Sequence, residues 1–495
     1  MKENKLFSLL FLFLLIATSH PLEAQRTAFP SLEPHPKALE LGKLAAEKNA
    51  DWAALAKAAL WASSVNAGPG AEGKVDSYFE KIAAAVAELT AADLPKDPKA
   101  RGEYLLTYLH THYLKKYVEL QTRLDALLES GNYNCVSSAI FYYVLGRAIG
   151  LEVEGVMTRD HAFILLRAGT ETIDVETTNP YGFDPGNRKE FHDAFGKVTG
   201  YAYTPAANYK ERTAVTGVDM VSLILQNRIV AAGRAKRSAE EISLALHRAV
   251  FLSGASLTSS LYEEANSDLM GRIYNYGLGL LKAGREDDCL AWIENVKTRF
   301  SDSRYWDELI ENAACNKLNK LVRAKKAPEA RSAFTVLMPK LSNEKLLHEL
   351  DTMILEAEIL EKVSKILKPG DAEAVLIFLE KERDRLSPER FAEIQTAAIL
   401  SEANRLAKIK DWAGNMRLLD EAIKKYGPNA KLEAVFKTMR QNRISELHNE
   451  FVVMFNKRDY NGAKASVQKS LEEFPGERQL VQDLNLVLKI SQNVP

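Results

Sequence analysis

From about Asp219 to the end of the chain one pattern dominates: apolar residues fall three and four apart, and strand signals are almost missing. A stretch that long cannot be laid out as a sheet, so it must bury its apolar faces helix against helix. Within it, two segments are built alike. Leu406-Ala-Lys-Ile-Lys-Asp-Trp-Ala413 leads into Leu418-Leu-Asp-Glu-Ala-Ile423 and Tyr426-Gly-Pro428. Val453-Met-Phe-Asn-Lys-Arg-Asp-Tyr460 leads into Ala465-Ser-Val-Gln-Lys-Ser-Leu471 and Phe474-Pro475. A third relative joins Leu280-Leu-Lys-Ala-Gly-Arg-Glu286 to Cys289-Leu-Ala-Trp-Ile293. Helix, short polar turn, helix and a Pro or polar exit make the unit of a helical-hairpin solenoid.

These units resemble degenerate tetratricopeptide repeats with irregular spacing, and the resemblance implies a surface for a protein partner. An ordinary α-helical domain is the plainer alternative. The rest of the chain differs. Its 495 residues exceed one ordinary core, and length alone suggests about two to four domains. The 65 basic and 66 acidic side chains nearly cancel, so charge gives no reason to expect nucleic acid or an acidic membrane surface as partner.

Lys2 and Lys5 precede an apolar run from Leu6 to Ala17, followed by Ser19, Pro21 and a small residue, Ala24. That order describes a secretory signal peptide over 1–24, with an uncleaved anchor as the alternative. The run is short of the roughly 20 residues that span a bilayer, and no later stretch reads as a span. The expected location is therefore exported, periplasmic or secreted. Export permits disulfides. Only Cys135, Cys289 and Cys315 are present, so no disulfide scaffold is expected. Cys289 and Cys315 either pair or sit as small buried residues; Cys135 is the odd thiol.

Helical spacing marks Leu39, Leu41, Leu44 and Ala45, then Leu55, Ala56, Ala59 and Leu60, with the loop Gly68–Gly73 farther on. Beyond Pro95 and Pro98 another helix pattern runs from about Arg101 to Leu128. Cys135 to Ile149 is almost wholly apolar and stops at Gly150, so it reads as a buried helix. Leu151–Met157, His161–Arg167 and Thr172–Thr177 read as strands, with Ala168-Gly169 as the turn between the last two. Helix followed by antiparallel strands predicts an α+β core.

Cys135 opens its helix, where partial positive charge and unpaired N–H groups favour a thiolate and offer support to an oxyanion. His161 opens a strand and is the expected proton acceptor. With a two-residue Ala168-Gly169 turn, Glu176 faces His161 directly and Asp174 lies diagonally on the same face. His110 and His112, at i and i+2 of a helix, point to different faces and read as non-ligands. No Gly-rich phosphate loop or metal-ligand spacing stands out, so neither cofactor nor metal is expected.

Asn132-Tyr-Asn-Cys135-Val-Ser-Ser-Ala139, Leu145-Gly-Arg-Ala-Ile-Gly-Leu151, Gly155-Val-Met-Thr-Arg-Asp-His161-Ala-Phe163 and Ile173-Asp-Val-Glu-Thr-Thr178 together resemble the transglutaminase-like superfamily. The resemblance covers about Tyr104 to Asn187, and its bacterial members with a following helical-repeat tail look similar. It implies a papain-like Cys-His-Asp triad, with Cys135 as nucleophile, His161 as base and Asp174 as acid. Glu176, before Thr177-Thr178, is the runner-up for the acid. Asn179–Gly186 is expected to form one rim of the cleft. The expected organisation is a leader (1–24), an N-terminal helical region (25–98), a transglutaminase-like core (99–215) and a tetratricopeptide-like helical region (219–495). The expected function is an exported cysteine enzyme. It would act on a peptide or protein amide through a thioester, by hydrolysis or acyl transfer. The alternative is a non-catalytic scaffold whose repeats bind a protein partner.

Overall fold

A computed structural model describes residues 28–47, 51–68, 70–159, 161–186, 188–199, 212–257, 259–300, 304–366 and 372–491. The expected leader lies outside the described residues, as does Asp160. No described helix is long and apolar enough to cross a membrane. The chain forms two compact units, Met1–Leu309 and Ile310–Pro495, so the division falls inside the region that reads as repeats.

The first unit begins with α1 (Lys37–Ala46), α2 (Trp52–Ser64), α3 (Val75–Ala91) and α4 (Pro98–His112). Asp97 caps α4 by accepting from the Ala100 N–H at 2.9 Å, with Pro98 in the first turn, where a missing N–H costs nothing. The helix expected over 101–128 is broken. After α4 the chain runs through β1 (Lys116–Tyr117), α5 (Leu124–Ser130) and β2 (Asn132–Tyr133). The break follows from pairing that periodicity does not report: β1 and β2 lie parallel, Tyr117 opposite Tyr133.

Then come α6 (Cys135–Ala148), β3 (Glu152–Met157), β4 (Ala162–Ala168), β5 (Glu171–Val175), α7 (Lys189–Thr199) and β6 (Thr213–Val215). Strands β3 to β6 form an antiparallel sheet in the order β5-β4-β3-β6. Alternation sends Ile164, Leu166, Ile173 and Val175 to one buried face and leaves Arg167 exposed and Asp174 half-buried on the other. Helix α6 packs on β3 and β4, and also against α2 and α8 (Gly217–Arg234). It is enclosed on all sides, which accounts for its apolar sequence. Phe141 and Tyr142 are fully buried, and Phe141→Ala would cost about 3–5 kcal/mol. The unit is completed by α9 (Ser238–Ser253), α10 (Tyr262–Lys282), α11 (Glu286–Lys297) and the start of α12 (Arg304–Arg323).

The second unit continues through α13 (Ala327–Leu337), α14 (Glu344–Ile366), α15 (Ala372–Lys381), α16 (Pro388–Lys408), α17 (Trp412–Tyr426), α18 (Ala430–Asn456), α19 (Tyr460–Glu473) and α20 (Arg478–Ser491). Each helix packs on its sequence neighbour. One core cluster is centred on Ile359 and Ile394, the next on Ile399 and Leu419, and the last on Ile444 and Val467.

One turn recurs in both units. Helices α8/α9, α10/α11, α12/α13, α16/α17 and α18/α19 are each joined by three residues, the middle one left-handed: Lys236, Gly284, Lys325, Lys410 and Arg458, with φ of 56°, 70°, 57°, 58° and 63°. In each, the third turn residue donates its N–H to a carbonyl five residues back, as in Asp411 to Leu406 at 2.9 Å and Asp459 to Met454 at 3.1 Å. These are Schellman closures, which satisfy the last carbonyls of the first helix and start the second at once.

Candidate active site

The site is built first from the start of α6. Gly131 takes φ 75°, which turns the chain from α5 into β2. Asn134 then caps α6, its Oδ1 accepting from the N–H groups of Val136 and Ser137 at 3.1 Å each. Ser137 returns the bond to the Asn134 N–H at 3.0 Å, closing a capping box. The cap also anchors the neighbouring loop. Asn134 Nδ2 donates to the Glu119 carbonyl and Ser137 Oγ to that of Gln121. Cys135 is the first helical residue and stays partly exposed, while Val136, Ser137 and Ser138 are buried. Oxyanion support from the first-turn amides is narrower than expected, because the cap consumes two of them. The Cys135 N–H remains, with no acceptor among the described residues.

His161 comes from the opposite direction. It sits just before β4, where its carbonyl accepts from the Thr158 N–H at 2.9 Å and closes the β3–β4 loop. Its Nε2 lies 2.5 Å from Oε2 of Glu176. Glu176 is 2 % exposed, and its other oxygen accepts from the Thr178 N–H at 3.2 Å and hydroxyl at 2.7 Å. A buried carboxylate needs such partners to remain ionised. Burial by itself would lower the His161 pKa. The Glu176 charge and the neighbouring Cys135 side chain outweigh it and hold the ring well above its ordinary value. With Nε2 on Glu176, Nδ1 is the nitrogen left to serve the sulfur.

The β4–β5 register differs from the expected one. Leu165 pairs with Asp174 and Ala168 with Glu171, so the two turn residues are Gly169 and Thr170, not Ala168 and Gly169. Gly169 takes φ 64°, and a tight turn favours glycine at that position. The two-residue slip keeps both acids on the His161 face but moves Asp174 off the diagonal, opposite Leu165. Glu176 becomes the diagonal neighbour and makes the contact.

Asp174 instead binds Arg212 through both terminal nitrogens, Nη1 to Oδ2 at 3.0 Å and Nη2 to Oδ1. The structure therefore corrects the expected order of the acids: Asp174 is not the partner of His161, because an arginine holds it two residues away.

The Glu176–Thr178 turn is tied down from three elements. His110 on α4 bonds the Thr177 carbonyl at 3.1 Å, and Tyr133 on β2 donates to the Thr178 carbonyl at 3.1 Å. Ser138 on α6 bonds the Thr177 hydroxyl at 2.8 Å. Burial keeps His110 neutral, lowering its pKa to about 4, and raises that of Tyr133 to about 12. None of these supports was singled out from sequence. Tyr133 and Ser138 lie inside the Asn132–Ala139 motif, but His110 carries no local signal for this contact. The Asn179–Gly186 segment folds back on the acid. The Glu176 N–H donates to the Gly182 carbonyl at 2.7 Å, and a Cβ at Gly182 would lie 1.9 Å from the Glu176 oxygen. Only glycine fits that approach.

All three cysteines are free. Cys289 is buried and its thiol is pushed up to about 12, which leaves it unreactive. Among the described residues no cluster of three or more His, Cys, Asp or Glu could hold a metal ion. No family model matches the chain, and no curated protein matches it either.

Proposed function

We propose that this chain is a cysteine acyl-transfer enzyme of the transglutaminase-like kind, exported and acting on a peptide or protein amide. One observation carries the reading: His161 bonds the buried Glu176 carboxylate and lies near enough to the partly exposed Cys135 thiol for that thiol to raise its pKa. His161 takes the Cys135 thiol proton as the sulfur attacks the amide carbonyl, forming a C–S bond. The carbonyl oxygen takes the negative charge near the Cys135 N–H. As the C–N bond breaks, His161 gives its proton to the leaving amine and a thioester remains. Water, or a second amine, then attacks the thioester. His161 takes the proton from that nucleophile and returns it to the sulfur. Glu176 keeps the ring oriented and stabilises it whenever it carries the proton. A purely scaffolding protein has no need of a buried carboxylate behind a histidine that faces an accessible thiol.

The test is mass spectrometry of the full chain after reaction with an activated peptidyl ester. The expected product is one acyl adduct on Cys135, released by hydroxylamine and lost in Cys135→Ala. Equal labelling of Cys135→Ala would contradict the reading.

A further inference from the structure

Asp174 and Arg212 lie on the same sheet face as His161, and neither touches it. Arg212, one residue before β6, lays its guanidinium over Phe163, with Cζ 5.0 Å from the ring centroid. Asp174 grips that guanidinium with both carboxylate oxygens. Phe163 also stacks on His161, with centroids 6.1 Å apart and planes at 25°. The contacts thus run from carboxylate to guanidinium to phenyl to imidazole. They join β5, the start of β6 and β4 across one face.

A histidine base held by a carboxylate at one nitrogen and serving a sulfur with the other can still rock about the line joining the two. Rocking leaves both bonds nearly intact in length but turns them off axis, and hydrogen bonds weaken steeply as they bend. Phe163 blocks that motion from one face, and Phe195 of α7 meets the ring edge-on at 6.2 Å. Phe163 can do this only if its own ring is held, and Arg212 is one of the groups that hold it. An arginine stacked on an aromatic ring and gripped by a carboxylate is fixed in plane as well as in place. The pair is also shielded, with side-chain exposures of 26 % for Arg212 and 16 % for Asp174, so solvent screens it less than a surface pair.

We propose that Asp174 and Arg212 are positioning residues: they press Phe163 against His161 and so set the plane of the imidazole, without touching substrate. The proposal rests on the reading of Cys135, His161 and Glu176 as a reactive centre. It assigns Asp174 a task different from that of Glu176.

The competing possibility is a plain strut that ties β5 to β6. Two readouts on the full chain separate them: the titration of the His161 ring by ¹⁵N NMR, assigned with His161→Gln, and the rate of Cys135 alkylation by iodoacetamide at pH 6. Asp174→Asn and Arg212→Met are expected to lower the His161 midpoint by about one pH unit and to slow alkylation about tenfold, with the protein still folded. Arg212→Lys keeps the cation but not the flat stack and is expected to fall between Arg212→Met and wild type. The charge swap Asp174→Arg with Arg212→Asp restores an ion pair but puts no cation over Phe163, and is expected to stay as impaired as the single variants. Variants matching wild type in both readouts would overturn the proposal, and so would full recovery in the swap. Failure of the underlying reading looks different: wild-type Cys135 would then alkylate no faster than Cys315, whatever the His161 titration does in the variants.

Discussion

Glu176 is a carboxylate with every oxygen committed: Oε2 to His161, Oε1 to the amide and hydroxyl of Thr178. Replacing it by Gln keeps the shape but removes the charge that holds the His161 proton. Glu176→Gln is expected to slow acylation of Cys135 by about 10²-fold, the scale of a general acid–base contribution, with Thr178→Ala a milder version. Stopped-flow acylation of each variant checks the order. Two other histidines set an acid limit on the fold. Half-buried His110 and buried His247 are held neutral with pKa lowered to about 4, by burial first, and His247 Nδ1 has no partner among the described residues. Their folded values lie below the unfolded value near 6.5, so the stability they allow is complete above that pH. It is lost as pH falls from 6.5 toward 4, by up to about 3 kcal/mol for each. His161 has the opposite sign: its raised value stabilises below 6.5, and that contribution fades as pH rises through the folded value. Urea midpoints measured from pH 7 to 4.5 should fall steeply, and less so in His247→Leu.

At the level of elements, the recurring helix turn makes the clearest demand on sequence. Four of the five turns put Lys or Arg at the left-handed position, which only glycine adopts without strain. Lys410→Gly and Arg458→Gly should each stabilise the protein by about 0.5–1 kcal/mol, less whatever the unfolded chain gains in freedom. Unchanged or lower denaturation midpoints would contradict this. The hairpins around residues 284, 410 and 458 were legible because their polar turns interrupt a strong 3.6 period. Those at 236 and 325 were not, because Ala-Lys-Arg and Ala-Lys-Lys read as helix continuing. Strand positions were legible from alternation, yet register was not. Whether the turn is Ala168-Gly169 or Gly169-Thr170 leaves the buried pattern unchanged, because a slip of two preserves facing. That slip carries Asp174 beyond the diagonal of His161 and leaves Glu176 as the acid in contact.

Across the whole chain, the two compact units differ in how they are held. In the first, α6 is enclosed by α2, α8 and the sheet, so strands far apart in sequence share one core. In the second, three core clusters follow one another along the chain, each made by consecutive helices. Such an array sums local interfaces and loses cooperativity as it lengthens. Calorimetry is expected to give a calorimetric enthalpy well above the van't Hoff value, with the broader transition assigned to 310–495; a single two-state transition would contradict that. Sequence made the helical bias of this region plain. It did not mark the boundary at 309/310, which lies inside α12 where no composition changes. Nor did it point to Arg212, which reaches Asp174 from 38 positions away. Cys135 and His161 stood out as candidates because both lie at the ends of strongly patterned elements.

The most direct test of the thiol centre is the rate at which iodoacetamide alkylates Cys135 at pH 6 in wild type, His161→Gln and Glu176→Gln, read by peptide mass spectrometry with Cys315 as internal reference. The account predicts that wild-type Cys135 reacts at least about tenfold faster than Cys315, and that each substitution removes most of that advantage. Equal rates at Cys135 and Cys315, or a Cys135 rate indifferent to both substitutions, would contradict it.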